Sequence, residues 1–287
     1  MYVLAKCILL VYAAVAASGF ELGPQDVVFH LFTRQNPNQS EPLLPTVNSI
    51  SLANFLSLDK CTVFTIHGHN DSAGGNFNAF AIRAHLLSQD VNILAVDWSP
   101  GASMYTQGLV NARQVGQVIA SFITILLDTF RYDPECIRIV GVGLGGHIAG
   151  IAARSVAVDI PQIIAIDPAF HGWTHNPDIL APTDAKVVEV LHATAGSFGY
   201  DYPLGDLDFY PNGGSQQSGC AFYAESLEAE VNDGNKFVGT ACETYEEAIE
   251  LQCFGDRNAT FGGTDVKTTE SGIYIFLTNL VPPFARG

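Results

Sequence analysis

The sequence predicts an α/β fold, a doubly wound, mostly parallel sheet with helices on both faces. Three observations carry that expectation. Short apolar runs rich in β-branched residues, such as "CTVFTIHG" and "VNILAVDW", alternate with the helical stretch "FNAFAIRAHLLSQ", and strand–helix–strand order marks a parallel unit. A longer segment, roughly 108–131, repeats Val115, Val118, Ile119, Phe122, Ile123 and Leu126 at spacings of three and four, which is helical periodicity. Finally, "CIRIVGVGLGGHIAG" runs from an apolar strand through a glycine-dense turn into a helix. With 287 residues, 48% hydrophobic and 15% charged, the chain is long enough for one large domain with a sizeable core.

The elements follow in order. "MYVLAKCILLVYAAVAASGF" holds a single charge, Lys6, then an apolar run too short to span a bilayer, ending in small residues; it reads as a secretory signal peptide over residues 1–19, cleaved near Gly19. "DVVFHLFTR" opens the mature chain as a strand, and "NPNQSEP" is a proline-marked loop. After the units above come the helix "LGGHIAGIAARSVA", the strand "QIIAIDPA", a proline-rich loop and the strand "KVVEVLHA". No later stretch offers about twenty uninterrupted apolar residues, so no transmembrane segment is expected. Ligands in such sheets sit beyond the carboxyl ends of strands. The informative positions are therefore His67, Gly68 and His69, then Asp97, Gly143, Asp167 and His192.

The 29 acidic residues outnumber 13 basic ones, giving a formal charge of −16. Such a surface repels nucleic acid and anionic membranes. Without Cys7 of the leader, Cys61, Cys136, Cys220, Cys242 and Cys253 remain, an odd set suited to an oxidising, extracellular destination. Glycosylation sequons stand at Asn38, Asn70 and Asn258.

A nucleophile elbow has the form G-x-S-x-G, because the serine occupies a strained turn and glycines on both sides let the helix pack close to the strand. Gly141-Val142-Gly143-Leu144-Gly145 keeps both flanking glycines and places glycine where the serine belongs. Together with "DVVFHLFTRQNP", "TIHGHND", "AVDWS", "AIDPAF", "GDLDFYPNGGSQQSGC", "FYAESL" and "GIYIFLTNLVPPF", this motif resembles the pancreatic-lipase family of neutral lipases, in particular its insect branch. The resemblance runs along almost all of the mature sequence. It implies an α/β-hydrolase fold in a single lipase-like domain over residues 20–287, with no counterpart of the family's C-terminal lipid-binding domain.

Carried over residue by residue, the resemblance gives Asp167 as the triad acid, His69 and Leu144 at the oxyanion positions, and Gly143 at the nucleophile position. Glycine has no atom with which to attack a carbonyl, and losing a nucleophile removes on the order of a millionfold of rate. The triad order Ser, acid, His along the chain also calls for a late histidine. None follows His192, which resembles a structural histidine of the family. Where active members carry a lid loop and a C-S-H motif, this chain passes from Gly219-Cys220 into "AFYAESL"; a rival alignment sets Cys242 and Thr244 against that motif, again without a base. His147 matches a histidine that the family already has, and His171 and His175 share a loop without further ligands for zinc. Asp184 alone persists where the family often binds calcium.

The resemblance further implies a Cys242–Cys253 disulfide, worth about 3 kcal/mol on loop entropy. A Cys61–Cys136 bridge fits because the hydrolase strand order makes their strands neighbours, and Cys220 is then the odd thiol. The expected protein is a secreted lipase-like molecule without hydrolase activity, similar to fly yolk proteins, holding or storing a lipid or another apolar small molecule. The alternative is a lipase or carboxylic-ester hydrolase with residual or altered activity. A lipase or lipoprotein is the expected protein partner; no cofactor or metal is expected.

Overall fold

The computed structural model describes residues 22–23, 25–215 and 218–287; the signal-peptide segment and its cleavage point lie outside the described residues. Strands β3 (Thr62–Ile66), β4 (Asn92–Asp97), β5 (Ile137–Val142), β6 (Gln162–Ile166), β7 (Val187–Leu191) and β8 (Leu207–Pro211) form the centre of an 11-stranded sheet. They are largely buried, TVFTI and QIIAI throughout, as expected for parallel strands covered on both faces. The sheet order is β10-β9-β11-β8-β7-β6-β5-β3-β4-β1-β2. The run from β4 to β11 (Gly272–Phe276) is parallel, and β1 (Val28–Phe32), β2 (Glu41–Leu43), β9 (Phe237–Cys242) and β10 (Arg257–Phe261) add antiparallel edges.

Alternation along the strands divides the core in two. Ile163 and Ala165 of β6 face one layer; Ile164 and Ile166 face the other. The first layer is built by α4 (Tyr105–Phe130) and α5 (Leu144–Arg154), the second by α2 (Asn76–Ser88) and α6 (Gly219–Asn232). The shorter helices are α1 (Val47–Ser51), α3 (Ser99–Ala102) and α7 (Tyr245–Ile249). Phe29, Phe64 and Phe122 interlock in the first layer, with 4.3 Å between the rings of Phe29 and Phe122. The α/β-hydrolase expectation of helices on both faces of a mostly parallel sheet holds in this arrangement.

Two details differ from the sequence reading. The long helix begins at Tyr105, three residues before the expected start, because it follows α3 almost directly and no side chain caps it; Arg131, at φ 55°, closes it in the left-handed region. With a mean hydropathy of 1.3, α4 is long and apolar enough to cross a membrane by length and composition, yet Val115, Ile119, Phe122, Ile123 and Leu126 are buried in the first core layer. The polar C-terminal stretch also holds more than a disulfide-bounded loop: β9 and β10 pair antiparallel there, and β11 inserts between β8 and β9.

Both implied disulfides form. Cys61–Cys136 links the approaches to β3 and β5, whose register pairs Thr62 with Ile137, and Cys242–Cys253 closes the loop after β9. Cys220 stays free. Asn38, Asn70 and Asn258 are all exposed. In the second layer, the buried Glu189 of β7 accepts from Lys267 Nζ at 2.7 Å and from the Gly262 amide at 2.6 Å, which anchors the β10–β11 loop under the sheet.

Candidate functional site: a cleft at the strand ends

The turn after β5 is held from several directions. Gly143 adopts φ 57°, ψ −119°; its amide donates to Ile166 O at 3.0 Å, and its carbonyl accepts from Gly146 and Ala169 at 3.1 Å. A Cβ on Gly141 would lie 2.1 Å from Gly145 O, and one on Gly145 2.2 Å from Ile66 O. The flanking glycines are therefore demanded by packing between β5, α5 and β3. Gly143 differs: a Cβ there would meet only Gly68 Cα at 3.8 Å. The turn has room for a side chain and carries none.

Leu144 opens α5 with its side chain buried. At this first helical position no carbonyl one turn back is available to its amide. Asp167, at φ 49° after β6, is half-buried. Its carboxylate accepts from the Thr194 amide at 2.7 Å and from the Thr194 hydroxyl at 2.5 Å. Burial pushes its pKa up, and the Thr194 hydrogen bonds oppose only part of that rise.

Among the described residues no histidine hydrogen-bonds Asp167. His192, at the end of β7, faces Asp208 at 2.8 Å and Tyr200 O at 2.7 Å and stacks on Tyr210. His67 accepts from the Trp98 amide at 3.1 Å and stacks on that indole, with Asp97 at 3.8 Å. His147 lies between Ala169 O and the Leu180 amide, stacked on Trp173 at 3.9 Å, and burial holds its pKa down at about 3. His30 pairs with Ser40 and His85 with Tyr223. His69, His171 and His175 are exposed; the His69 ring bonds Ala102 O at 3.0 Å and meets Tyr105 edge-on.

Of the positions expected at the strand ends, the fold brings His69, Gly143, Leu144 and Asp167 together around one lobe of about 460 Å³. It does not bring Asp97 or His192 there. His171, Tyr105 and Phe198 also line the lobe; the sequence pattern missed Tyr105, whose helix was expected to begin later, and Phe198, which lies in a loop without periodicity. A second lobe of about 430 Å³ shares Val142, Asp167 and Phe198 with the first and extends to Phe80 and Cys220. Phe198 is 69% exposed and lines both lobes. The Cys220 thiol is pushed up to about 12 by burial, with Asp167 adding to the rise, so it remains protonated and a poor nucleophile at neutral pH.

The other chemical candidates are engaged elsewhere. Helix α6 begins at Gly219, eight residues after β8 ends at Pro211. Thr244 caps α7 by accepting from the Glu247 amide, and neither it nor Cys242 lines the cleft. The Asp184 carboxylate is gripped by Arg154 Nε at 2.8 Å and Nη2 at 2.5 Å and accepts from the Ala181 amide. Its oxygens already serve a guanidinium.

A parallel sheet, an elbow between β5 and α5, and an acid after β6 define an α/β-hydrolase. The lipase family's sequence profile matches residues 13–249, and the chain belongs to that family, in its pancreatic-lipase group. It is 36% identical over 208 residues to human pancreatic triacylglycerol lipase, covering 69% of this chain and 44% of that one. Guinea-pig (Cavia porcellus) pancreatic lipase-related protein 2 is 31% identical over 244 residues, covering 79% and 56%. The inactive pancreatic lipase-related protein 1 of dog (Canis lupus familiaris) is 35% identical over 201 residues, covering 67% and 43%. The chain thus spans about half the length of these relatives.

Proposed function

We propose that this chain is a secreted, non-hydrolytic member of the lipase family that holds an apolar ligand, an acyl chain or a molecule of similar shape, in the strand-end cleft. The observation that carries the reading is the state of the three catalytic positions. Gly143 offers no nucleophile, the Asp167 carboxylate is bonded to Thr194, and among the described residues no imidazole bridges the two. The cleft itself remains, lined by Val142, Leu144, Ala169 and Phe198, and its size falls within the range of small-molecule sites, about 300–1,000 Å³. Two disulfides and exposed sequons accord with an extracellular protein.

Two measurements on protein secreted from cells test this. Lipid extraction followed by mass spectrometry should recover a stoichiometric apolar ligand, and the mature N-terminus should fall near Gly19. Hydrolysis of p-nitrophenyl butyrate should not rise above a heat-killed control, and Gly143→Ser alone should not restore it. Turnover that survives repurification and disappears in Asp167→Asn would show instead an esterase with an altered site.

A further inference from the structure

A groove of about 600 Å³ lies on the other flank of α2, lined by the end of β1, the loop after it and α2 itself. It shares no lining residue with either lobe of the strand-end cleft. Asn76 and Phe80 of α2 face the cleft, whereas Ala79, Ile82, Arg83 and Leu86 face the groove. The helix therefore separates two cavities.

The floor is apolar: Ile82 and Ala73 are buried, and Phe32 and Leu86 half-buried. Its mouth carries two arginines. Arg34 is fixed there by donating Nε to Leu86 O at 2.8 Å and Nη2 to Leu87 O at 3.3 Å, carbonyls of the last turn of α2. Arg83 makes no ion pair or hydrogen bond among the described residues. No carboxylate lines the groove. In a chain with 29 acidic and 13 basic residues, two cations at the mouth of an apolar trough favour an anionic head group there, although the Asp97 carboxylate accepts from the amide of the floor residue Ala73 at 3.3 Å. Guanidinium groups suit carboxylates in particular.

We propose that this groove is a second ligand site, taking a free single-chain fatty carboxylate with its alkyl chain along Phe32, Ile82 and Leu86 and its head group at Arg34 and Arg83. The assignment is independent of whether the strand-end cleft is catalytic. Asn38 lies on the rim, so a glycan at this sequon would border the entrance.

The test uses the full secreted protein and a dodecanoic acid carrying a photoactivatable diazirine, with adducts mapped by peptide mass spectrometry. Saturable labelling is expected in residues 32–38 and 79–87. Unlabelled dodecanoate should displace the probe, dodecyltrimethylammonium should not, and anionic phospholipid vesicles should leave the labelling unchanged. Arg83→Glu should weaken labelling of the groove about tenfold while adducts at residues 142–144 and 198 stay as they were; Arg83→Lys should recover most of it. Asn38→Gln, carried in parallel, keeps a glycan from masking the result. The proposal is overturned if neither the parent nor Asn38→Gln is labelled in the groove, if Arg83→Glu labels as the parent does, or if the cationic amphiphile or the vesicles compete as well as dodecanoate.

Discussion

Thr194 donates both its backbone amide and its hydroxyl to the carboxylate of Asp167, at 2.7 and 2.5 Å. The acid of a would-be triad is thus satisfied by its own scaffold, and the desolvation of its half-buried carboxyl raises its pKa above the ordinary 3.8. Below that value both folded and unfolded chains hold the proton. As pH rises, the unfolded chain ionises first, so the contribution of this group to stability is lost through the folded pKa. Asp167→Asn removes that dependence. Measured by circular dichroism, the melting temperature of Asp167→Asn relative to the parent's should rise as pH climbs above about 4; a constant difference would refute an acid with a raised pKa.

Two buried histidines act in the opposite direction. Burial holds His85 and His147 at about 3, against 6.5 in an unfolded chain. Their stabilisation is complete above 6.5 and is lost as pH falls toward 3, because only the unfolded chain takes up the protons. Each should contribute a slope approaching about 1.4 kcal/mol per pH unit in that window. His147→Asn should flatten the acid limb of a urea-unfolding series by roughly one proton's worth. An unaltered limb would mean that the ring titrates alike in both states.

The elbow glycines should rank in a definite order. Gly143→Ala meets open space and incurs only the backbone strain of φ 57°, about 1–3 kcal/mol. Gly141→Ala and Gly145→Ala drive a methyl to 2.1 and 2.2 Å from backbone oxygens and should lose several times as much, leaving little folded protein. Denaturant midpoints of the three variants check this order.

Lys267→Ala should destabilise by about 3–5 kcal/mol, because it strands the buried Glu189 carboxylate without its cation. The paired change Lys267→Met with Glu189→Leu should recover most of the loss. A loss in the paired variant equal to the sum of the losses of the two single variants would show that the two side chains act independently.

Much of this molecule is legible locally. The β3–β7 strands announce themselves because each is a short, largely buried run rich in β-branched residues, and the Gly141-x-Gly143-x-Gly145 spacing places the elbow directly. Where the sequence reading fell short, the missing information is long-range. The insertion of β11 between β8 and β9 pairs Ile273 with Asp208 on one side and Cys242 on the other, partners far away in the chain and fixed only by tertiary packing. The same holds for the site. Gly143 and Asp167 follow from motif and strand order, but Thr194 as the acid's partner and Phe198 between the lobes come from a loop without a periodic pattern. The Arg34–Arg83 groove has no motif either, since its two cations stand on different elements.

The bond between Cys61 and Cys136 spans 75 residues. Pulled from its two ends, the oxidised chain could surrender its outer strands one after another, yet everything between those sulfurs would stay out of the extending thread. About 250 Å of contour would be withheld and released only by a reductant, so β3, β4 and the helices between the two cysteines form a mechanically closed ring, while the later strands that carry Gly143 and Asp167 behave as ordinary string.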